Sequence, residues 1–266
     1  HNPESISPKI EKMYSPAKCI GCGTCVETCP ENALTLTAEG IITDTDLCTV
    51  CGKCAEVCPT LAIEMSGKAM SVSAVMDIIE KDRIFFDQSG GGVTFSGGEP
   101  LVHSKMLLEL LVECGKRSIH RAVDTAGNVS TETLLEVAKH TDLFLYDLKM
   151  MDSGLHREWI QAGNERILEN LKLLAETGAH IMIRIPLIGG VNDTDENIEQ
   201  TARFISELAG DKKEVHLLPY HNIARNKYNK LGKPDEFEIL KEPGKDTMAK
   251  AIVTFETYGI KAGIGG

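Results

Sequence analysis

The chain has no apolar run approaching the ~18 residues that a membrane-spanning helix needs. Its longest apolar stretch, residues 181–188, is broken by Arg184 and Pro186. No leader pattern of basic, apolar and small residues opens it either. Positive charge is in short supply: 28 Lys and Arg stand against 39 Asp and Glu, for a formal net charge of −11. Binding to DNA or RNA requires clustered cations, so a nucleic-acid partner is not expected. The acidic balance itself names no ligand and suits a solvated surface. The first residue is His1 and not Met, so the true start is expected to lie upstream. What remains is ordinary for a globular protein. With 266 residues, 42% of them apolar, the chain can pack one large domain, or a medium one with a small companion.

Cysteine, by contrast, is abundant and concentrated. Eight of the nine cysteines fall between Cys19 and Cys58. One group comprises Cys19, Cys22, Cys25 and Cys29, followed by Pro30; the other comprises Cys48, Cys51, Cys54 and Cys58, followed by Pro59. Both read C-x2-C-x2-C-x3-C-P. They superpose with an offset of 29 residues that also pairs Gly23 with Gly52, Glu27 with Glu56, Ala33 with Ala62 and Leu34 with Ile63. The segment is an internal repeat of two. The spacing suits a cubic 4Fe–4S cluster. Three thiolates on a tight Gly-containing loop reach three irons, and the fourth, at the following Cys-Pro, ligates the other cluster. The expected sets are therefore Cys19, Cys22, Cys25 with Cys58, and Cys48, Cys51, Cys54 with Cys29.

Three other readings fit less well. Structural zinc uses paired knuckles and has no use for a third Cys two residues later. Disulfides suit small secreted domains. A redox C-x-x-C needs only two cysteines. Two clusters also imply a reducing, low-oxygen cytoplasm. Cys114 lies in an apolar helical stretch and reads as a buried, inert thiol.

Beyond Lys68 the pattern becomes an alternation of strands and helices. Strands are expected at 93–96, 119–124, 143–149, 180–187, 215–219 and near Ile260. Helices are expected at 72–81, 106–116, 131–139, 167–176, 198–208 and 248–258. The runs beginning at Thr131 and Asn192 supply helix starts. Such alternation implies parallel β/α units, with ligands at the C-terminal ends of the strands. Polar motifs stand at those ends: Ser96-Gly97-Gly98-Glu99-Pro100, Asp124-Thr125-Ala126-Gly127, Asp147-Leu148-Lys149, Arg184, and Leu218-Pro219-Tyr220-His221. Taken singly, each has a plain structural reading as a turn, a helix start, a surface ion pair or a structural histidine. Together they put both signs of charge on one rim, which suits a zwitterionic ligand carrying a nucleoside.

The run from Gly90 to Pro100 (GGGVTFSGGEP), then DTAG, DLK, IRIP and LLPYH, resembles the radical S-adenosylmethionine (SAM) activating enzymes of glycyl radical enzymes. This is the pyruvate formate-lyase activating enzyme family, and the likeness covers essentially the whole chain. The cysteine repeat resembles the ferredoxin-like insert of one subgroup. The resemblance implies an α/β fold: a partial (β/α)6 radical SAM barrel lacking its first strand, with an inserted ferredoxin-like domain holding two 4Fe–4S clusters. The implied boundaries are 1–18 for a remnant loop and linker, 19–66 for the insert and 67–266 for the barrel.

Residue roles follow from the same resemblance. Gly97, Gly98 and Glu99 hold the methionine ammonium, with Asp124 assisting. Thr125 and Lys149 are placed near the carboxylate and ribose, and Asp147 and His221 on the ribose. Arg184, Pro186 and Leu218 line the adenine side. Asp124 and Asp147 are further expected to share a monovalent cation. The family's C-x3-C-x2-C motif, whose thiolates hold the SAM-binding third cluster, is absent from these residues, and the opening His1-Asn2-Pro3-Glu4 resembles the stretch that follows it. The expectation is an N-terminally truncated activase, unable to cleave SAM alone. A lesser departure is Gly189-Gly190, where the family often has Pro-Gly; it is expected to loosen a loop and little else.

The implied reaction is that of an oxidoreductase. An electron from reduced ferredoxin or flavodoxin, relayed by the insert clusters, cleaves SAM reductively to a 5′-deoxyadenosyl radical, and this abstracts hydrogen from a glycine of the partner glycyl radical enzyme. The alternatives are a ferredoxin-type electron-transfer protein without SAM chemistry, and a radical SAM enzyme acting on another substrate. Neither nucleic acid nor membrane is an expected partner.

Overall fold

The computed structural model describes residues 9–210, 214–221, 225–232 and 240–265. They fall into two compact units. One holds the described residues up to Ala69 together with 225–232; the other begins at Met70 and holds the rest. The segment 225–232, placed with the barrel in the sequence reading, thus groups with the cysteine repeat.

The first unit repeats in space what it repeats in sequence. Strands β1 (Lys12–Tyr14) and β4 (Ile63–Met65) pair antiparallel, as do β2 (Leu34–Thr37) and β3 (Gly40–Thr43). The offset of 29 carries Tyr14↔Ile63 onto Thr43↔Leu34, so the two ladders are equivalents. Each half has one short helix, α1 (Thr24–Thr28) and α2 (Lys53–Glu56). Gly23 and Gly52 stand just before them at φ 76° and 82°, a left-handed backbone that lets the cysteine loop turn straight into the helix. The core of this unit is small: Cys25, Leu34, Ile41 and Ile63 are buried.

The second unit is built on a six-stranded sheet. Its strands are β5 (Gly92–Phe95), β6 (His120–Thr125), β7 (Leu143–Asp147), β8 (Ile181–Leu187), β9 (Glu214–Pro219) and β10 (Lys261–Ile264). They are parallel and lie side by side in chain order. Sequential order with right-handed crossovers puts the connecting helices on one face. These are α5 (Ser104–Lys116), α6 (Thr131–Ala138), α8 (Glu165–Glu176), α9 (Asp195–Ser206) and α11 (Lys245–Thr257), while α3 (Val72–Ile79) precedes the first strand. All six expected strands and all six expected helices are present, with ends shifted by a few residues.

Strand alternation divides the sheet's two faces. On β8, Ile181, Ile183, Ile185 and Leu187 are buried and pack with Phe144, Tyr146, Leu171 and Phe255. Each such fully buried aliphatic side chain contributes about 1.5–3 kcal/mol. Met182, Arg184 and Pro186 alternate with them and take the other face. The Arg and Pro that break the apolar run in the sequence therefore belong to the face away from the helices.

Further helices lacked a sequence signal: α4 (Arg83–Ser89), α7 (Ser153–Ile160) and α10 (Arg225–Lys230). Helix α7 buries only His156 and leaves Leu155 and Ile160 exposed, and α10 is polar throughout, so neither gives the core a broad apolar face. Both expected helix starts are present, and the structure adds their caps. α6 begins at Thr131 and is capped by Ser130, its hydroxyl accepting from Thr133 N at 3.3 Å. Thr194 caps α9 in the same way, accepting from Asn197 N at 3.3 Å. Asn192 has a different task. No helix of the described residues is long and apolar enough to cross a membrane.

Candidate cluster and cofactor sites

In the first unit, two hollows are lined by the eight clustered cysteines. Cys19, Cys22, Cys25 and Cys58 line one of about 340 Å³; Cys29, Cys48, Cys51 and Cys54 line the other, of about 370 Å³. Each hollow thus receives three thiols from one repeat and one from the other. All are free thiols. They stand around a space instead of meeting at a point: among the described residues no three Cys, His, Asp or Glu side chains converge to hold a single metal ion.

Backbone donors steady the thiol that crosses over in each half. Ala33 N–H donates to Cys29 Sγ at 3.4 Å, and its repeat equivalent Ala62 N–H to Cys58 Sγ at 3.2 Å. Burial opposes ionisation of Cys58, but the amides of Ile63 and Ala62 outweigh it and lower its pKa. The hydroxyl of Thr24 lowers that of Cys22. Burial pushes Cys25 and Cys54 up.

The two hollows are not chemically equal. Lys12 lines the second where its repeat equivalent Ile41 lines the first, and Tyr14 lines the first with no counterpart lining the second. Cys114 is wholly buried, with its thiol 3.8 Å from Met76 Sδ, as expected of an inert core thiol.

In the second unit, the polar motifs gather at the C-terminal ends of the strands. Glu99 follows β5 and is held from its neighbour. Its Oε1 accepts from Thr125 Oγ1 at 2.8 Å and from Leu101 N at 3.2 Å; its Oε2 accepts from Ala126 N at 3.0 Å. Burial raises the Glu99 pKa, against the lowering effects of these three donors and of Lys149. Gly97 and Gly98 precede it, both exposed.

Asp124, Asp147 and Arg184 form one cluster. Asp147 lies opposite Arg184 in the strand register. Arg184 Nη2 donates to Oδ1 of both Asp124 and Asp147, the latter at 2.8 Å, and Nε donates to Asp147 Oδ1 at 3.1 Å. Ser96 Oγ donates to Asp124 Oδ2 at 2.8 Å, and Lys149 Nζ approaches Asp147 Oδ2 at 3.4 Å. Every carboxylate oxygen of the pair therefore has a partner, and two cations balance two anions. The Arg184 guanidinium reaches both carboxylates, the pair that the resemblance gave to a shared monovalent cation. Pro186 and Leu218 lie opposite each other on β8 and β9, both partly buried. His221 follows the end of β9 and is exposed.

Four asparagines, of which the sequence reading named only Asn192, and that as a helix start, hold the loops bearing these residues. Asn170 is wholly buried; its amide donates to Gly127 O at 2.8 Å and Val129 O at 2.9 Å and accepts from Thr131 Oγ1 at 2.8 Å. Asn192, 2% exposed, donates to Lys149 O at 2.6 Å and Pro186 O at 2.7 Å and accepts from Ile188 N at 2.8 Å. Asn164 donates to Met150 O at 2.9 Å and Met151 O at 2.8 Å, and Asn197 Oδ1 accepts from Met151 N at 2.9 Å. Asn170 was detectable as a polar residue on the apolar stripe of α8, between Ile167 and Leu171. The others lie in loops or on a polar face, where asparagine raises no flag.

A nest of fixed carboxylates and cations at strand ends, with paired four-cysteine hollows in the same chain, narrows the family. The Radical SAM superfamily model matches residues 48–205, and the 4Fe-4S dicluster domain model matches residues 18–62. The chain is 41% identical to the trans-4-hydroxy-L-proline dehydratase activating enzyme of Clostridioides difficile, covering 100% of this chain and 88% of that protein. It is 33% identical to the pyruvate formate-lyase 2-activating enzyme of Escherichia coli, covering 100% and 81%. The chain belongs to the radical SAM activating enzymes of glycyl radical enzymes.

Among the family's members, the choline trimethylamine-lyase activating enzyme of Oleidesulfovibrio alaskensis is 36% identical over 87% of this chain and 76% of its own. A solved domain of a pyruvate-formate lyase-activating enzyme from Bacteroides vulgatus superposes with a TM-score of 0.57 at 40% identity, covering 66% of this chain and 99% of that one. A radical SAM methyltransferase from Sphaerobacter thermophilus, 18% identical, shares the fold at a TM-score of 0.54, over 73% of this chain and 56% of its own. As a member of this family the chain is an iron–sulfur, SAM-using oxidoreductase that activates a glycyl radical enzyme, not a plain electron carrier.

Proposed function

We propose that the two hollows of the first unit are the seats of two 4Fe–4S clusters, one held by Cys19, Cys22, Cys25 and Cys58, the other by Cys29, Cys48, Cys51 and Cys54. The observation that carries this is the sorting of the thiols, three from one repeat and one from the other round each hollow. A space ringed by four thiols suits a polynuclear cube better than a single zinc ion, whose ligands converge within about 2.3 Å of it. This unit is then the ferredoxin-like insert, and the open six-stranded sheet a partial radical SAM barrel.

In the second unit the rim is read as the SAM seat. Glu99, fixed by three donors, is the counter-charge for the methionine ammonium, with Gly97 and Gly98 beside it. Lys149 is free on its far side to meet the methionine carboxylate or a ribose hydroxyl while Asp147 holds it. Asp147 and His221 face the ribose, and Pro186 and Leu218 give an apolar wall for the adenine. Arg184 is assigned a different part from the one the resemblance implied: it neutralises Asp124 and Asp147 and keeps them apart at a set spacing. A reduced SAM-binding cluster, whose C-x3-C-x2-C thiolates are not among these residues, would supply the one electron that breaks the sulfur–C5′ bond of SAM, giving methionine and a 5′-deoxyadenosyl radical able to take a glycine hydrogen. The residues described here orient the charged ends of SAM, and their mutual hydrogen bonds are in place beforehand.

The electron donor in this reading is a reduced ferredoxin or flavodoxin, and the setting is a reducing, low-oxygen compartment. Anaerobic reconstitution tests the cluster assignment. About eight irons per chain, with 4Fe–4S signals in electron paramagnetic resonance on reduction, are expected. Two tightly held zinc ions and no iron would refute it.

A further inference from the structure

Thr125 is the last residue of β6, and the register sets it opposite Tyr146, whose ring is buried among the helices. Asp124, one position earlier, points to the other face, where it meets Arg184. Thr125 therefore turns away from the Asp–Arg cluster although it adjoins it in sequence. Its side chain is only 2% exposed. A hydroxyl has one proton to donate, and here it goes to Glu99 Oε1 at 2.8 Å. It also accepts from Gly127 N–H at 2.8 Å. With its proton spent and its surface covered, the hydroxyl is not available to a ligand.

The turn that carries Thr125 is itself staked down. Asn170 holds the carbonyls of Gly127 and Val129. Gly127 has φ +70°, and a Cβ there would fall 1.8 Å from Tyr146 Oη, so no other residue fits without moving the ring. The same turn supplies Ala126 N–H to Glu99 Oε2. The Glu99 carboxylate is thus clamped from the end of β6, by one side chain and one amide of a turn that has no room to shift.

We propose that Thr125 is a positioning residue for Glu99 and touches no part of SAM, so that its influence on binding is confined to the α-ammonium group. This rests on the reading of Glu99 as the ammonium's counter-charge. It departs from the placement of Thr125 beside the methionine carboxylate and ribose.

Two stable thioethers separate the possibilities: S-adenosylhomocysteine, and 5′-S-(3-carboxypropyl)-5′-thioadenosine, which is the same molecule without its α-amino group. Their dissociation constants are measured on the whole chain and on Thr125→Val, Thr125→Ser and Glu99→Gln. Thr125→Val is expected to weaken S-adenosylhomocysteine roughly tenfold and leave the des-amino compound unchanged, because one hydrogen bond to a charged group is lost. Thr125→Ser, which keeps the hydroxyl, should bind both as the parent does. Thr125→Ala serves as the hydroxyl-free variant if valine prevents folding. Equal weakening of both compounds, or of neither, would overturn the proposal. If Glu99→Gln does not separate the two compounds, the reading of Glu99 fails and the proposal falls with it. If Glu99→Gln separates them and Thr125→Val does not, only the role given to Thr125 is wrong.

Discussion

Glu99 combines two demands that pull against each other. Burial makes its charge costly and raises its pKa, yet an anionic carboxylate is what an ammonium needs. The three donors around it offset part of that cost, and burial still prevails. The sign of the linkage follows. A carboxyl whose folded pKa lies above its unfolded value of about 4.3 binds more protons folded than unfolded across that window. Its contribution to stability is present below the unfolded value and is lost as pH rises through the folded one. Glu99→Gln should therefore flatten this loss: melting temperature should fall less between pH 4 and neutrality than in the parent, while discrimination for the α-amino group disappears. A variant with the same pH slope as the parent would show that Glu99 is not the strained group. Arg184 was legible in the sequence as a break in an apolar strand. Its partner choice was not, since only the register reveals that its guanidinium lands between Asp124 and Asp147.

Among the elements, the strands and long helices could be read directly, because period 2 and period 3.6 are written in their apolar residues. β8 is the clearest case: its buried and part-buried positions alternate over the full length. Helix α7 could not be read that way, for it buries a histidine whose Nδ1 meets Ala162 O at 2.6 Å. The loops after the strands were the least legible, and they are where the asparagines act. A side-chain amide that satisfies three backbone groups leaves no periodic trace, so Asn192 looked like a helix start. In the structure it ties the backbone after β7, at Lys149, to that of Pro186 on β8. Asn192→Ala leaves three part-buried backbone groups without this partner, and a loss of about 2–3 kcal/mol is expected in denaturant unfolding at unchanged slope. A loss under about 0.5 kcal/mol, the range of ordinary surface changes, would mean that water or a shifted loop replaces the amide.

For the molecule as a whole, the sequence showed two kinds of order. The 29-residue offset predicted a duplicated cluster-binding unit, and the duplication is present down to the strand pairing. The alternation beyond Lys68 predicted parallel β/α units, and six strands follow in chain order. The grouping of residues 225–232 with the cysteine unit was not foreseeable, because a short polar helix carries no sign of what it packs against. The equality of the two halves was also overstated by the cysteine pattern, since Lys12 and Ile41 occupy equivalent places.

The claim on which the rest depends is that thiols cross between the repeats, and paired substitutions with iron counting test it most directly. Cys22 and Cys58 line the same hollow, whereas Cys22 and Cys29 line different ones. The double variant Cys22→Ala with Cys58→Ala should lose one cluster and keep about four irons per chain, with the other cluster's signal intact. The double variant Cys22→Ala with Cys29→Ala should lose both clusters and nearly all of its iron. The reverse pattern, in which the Cys22 and Cys29 pair spares one cluster and the Cys22 and Cys58 pair destroys both, would contradict the account.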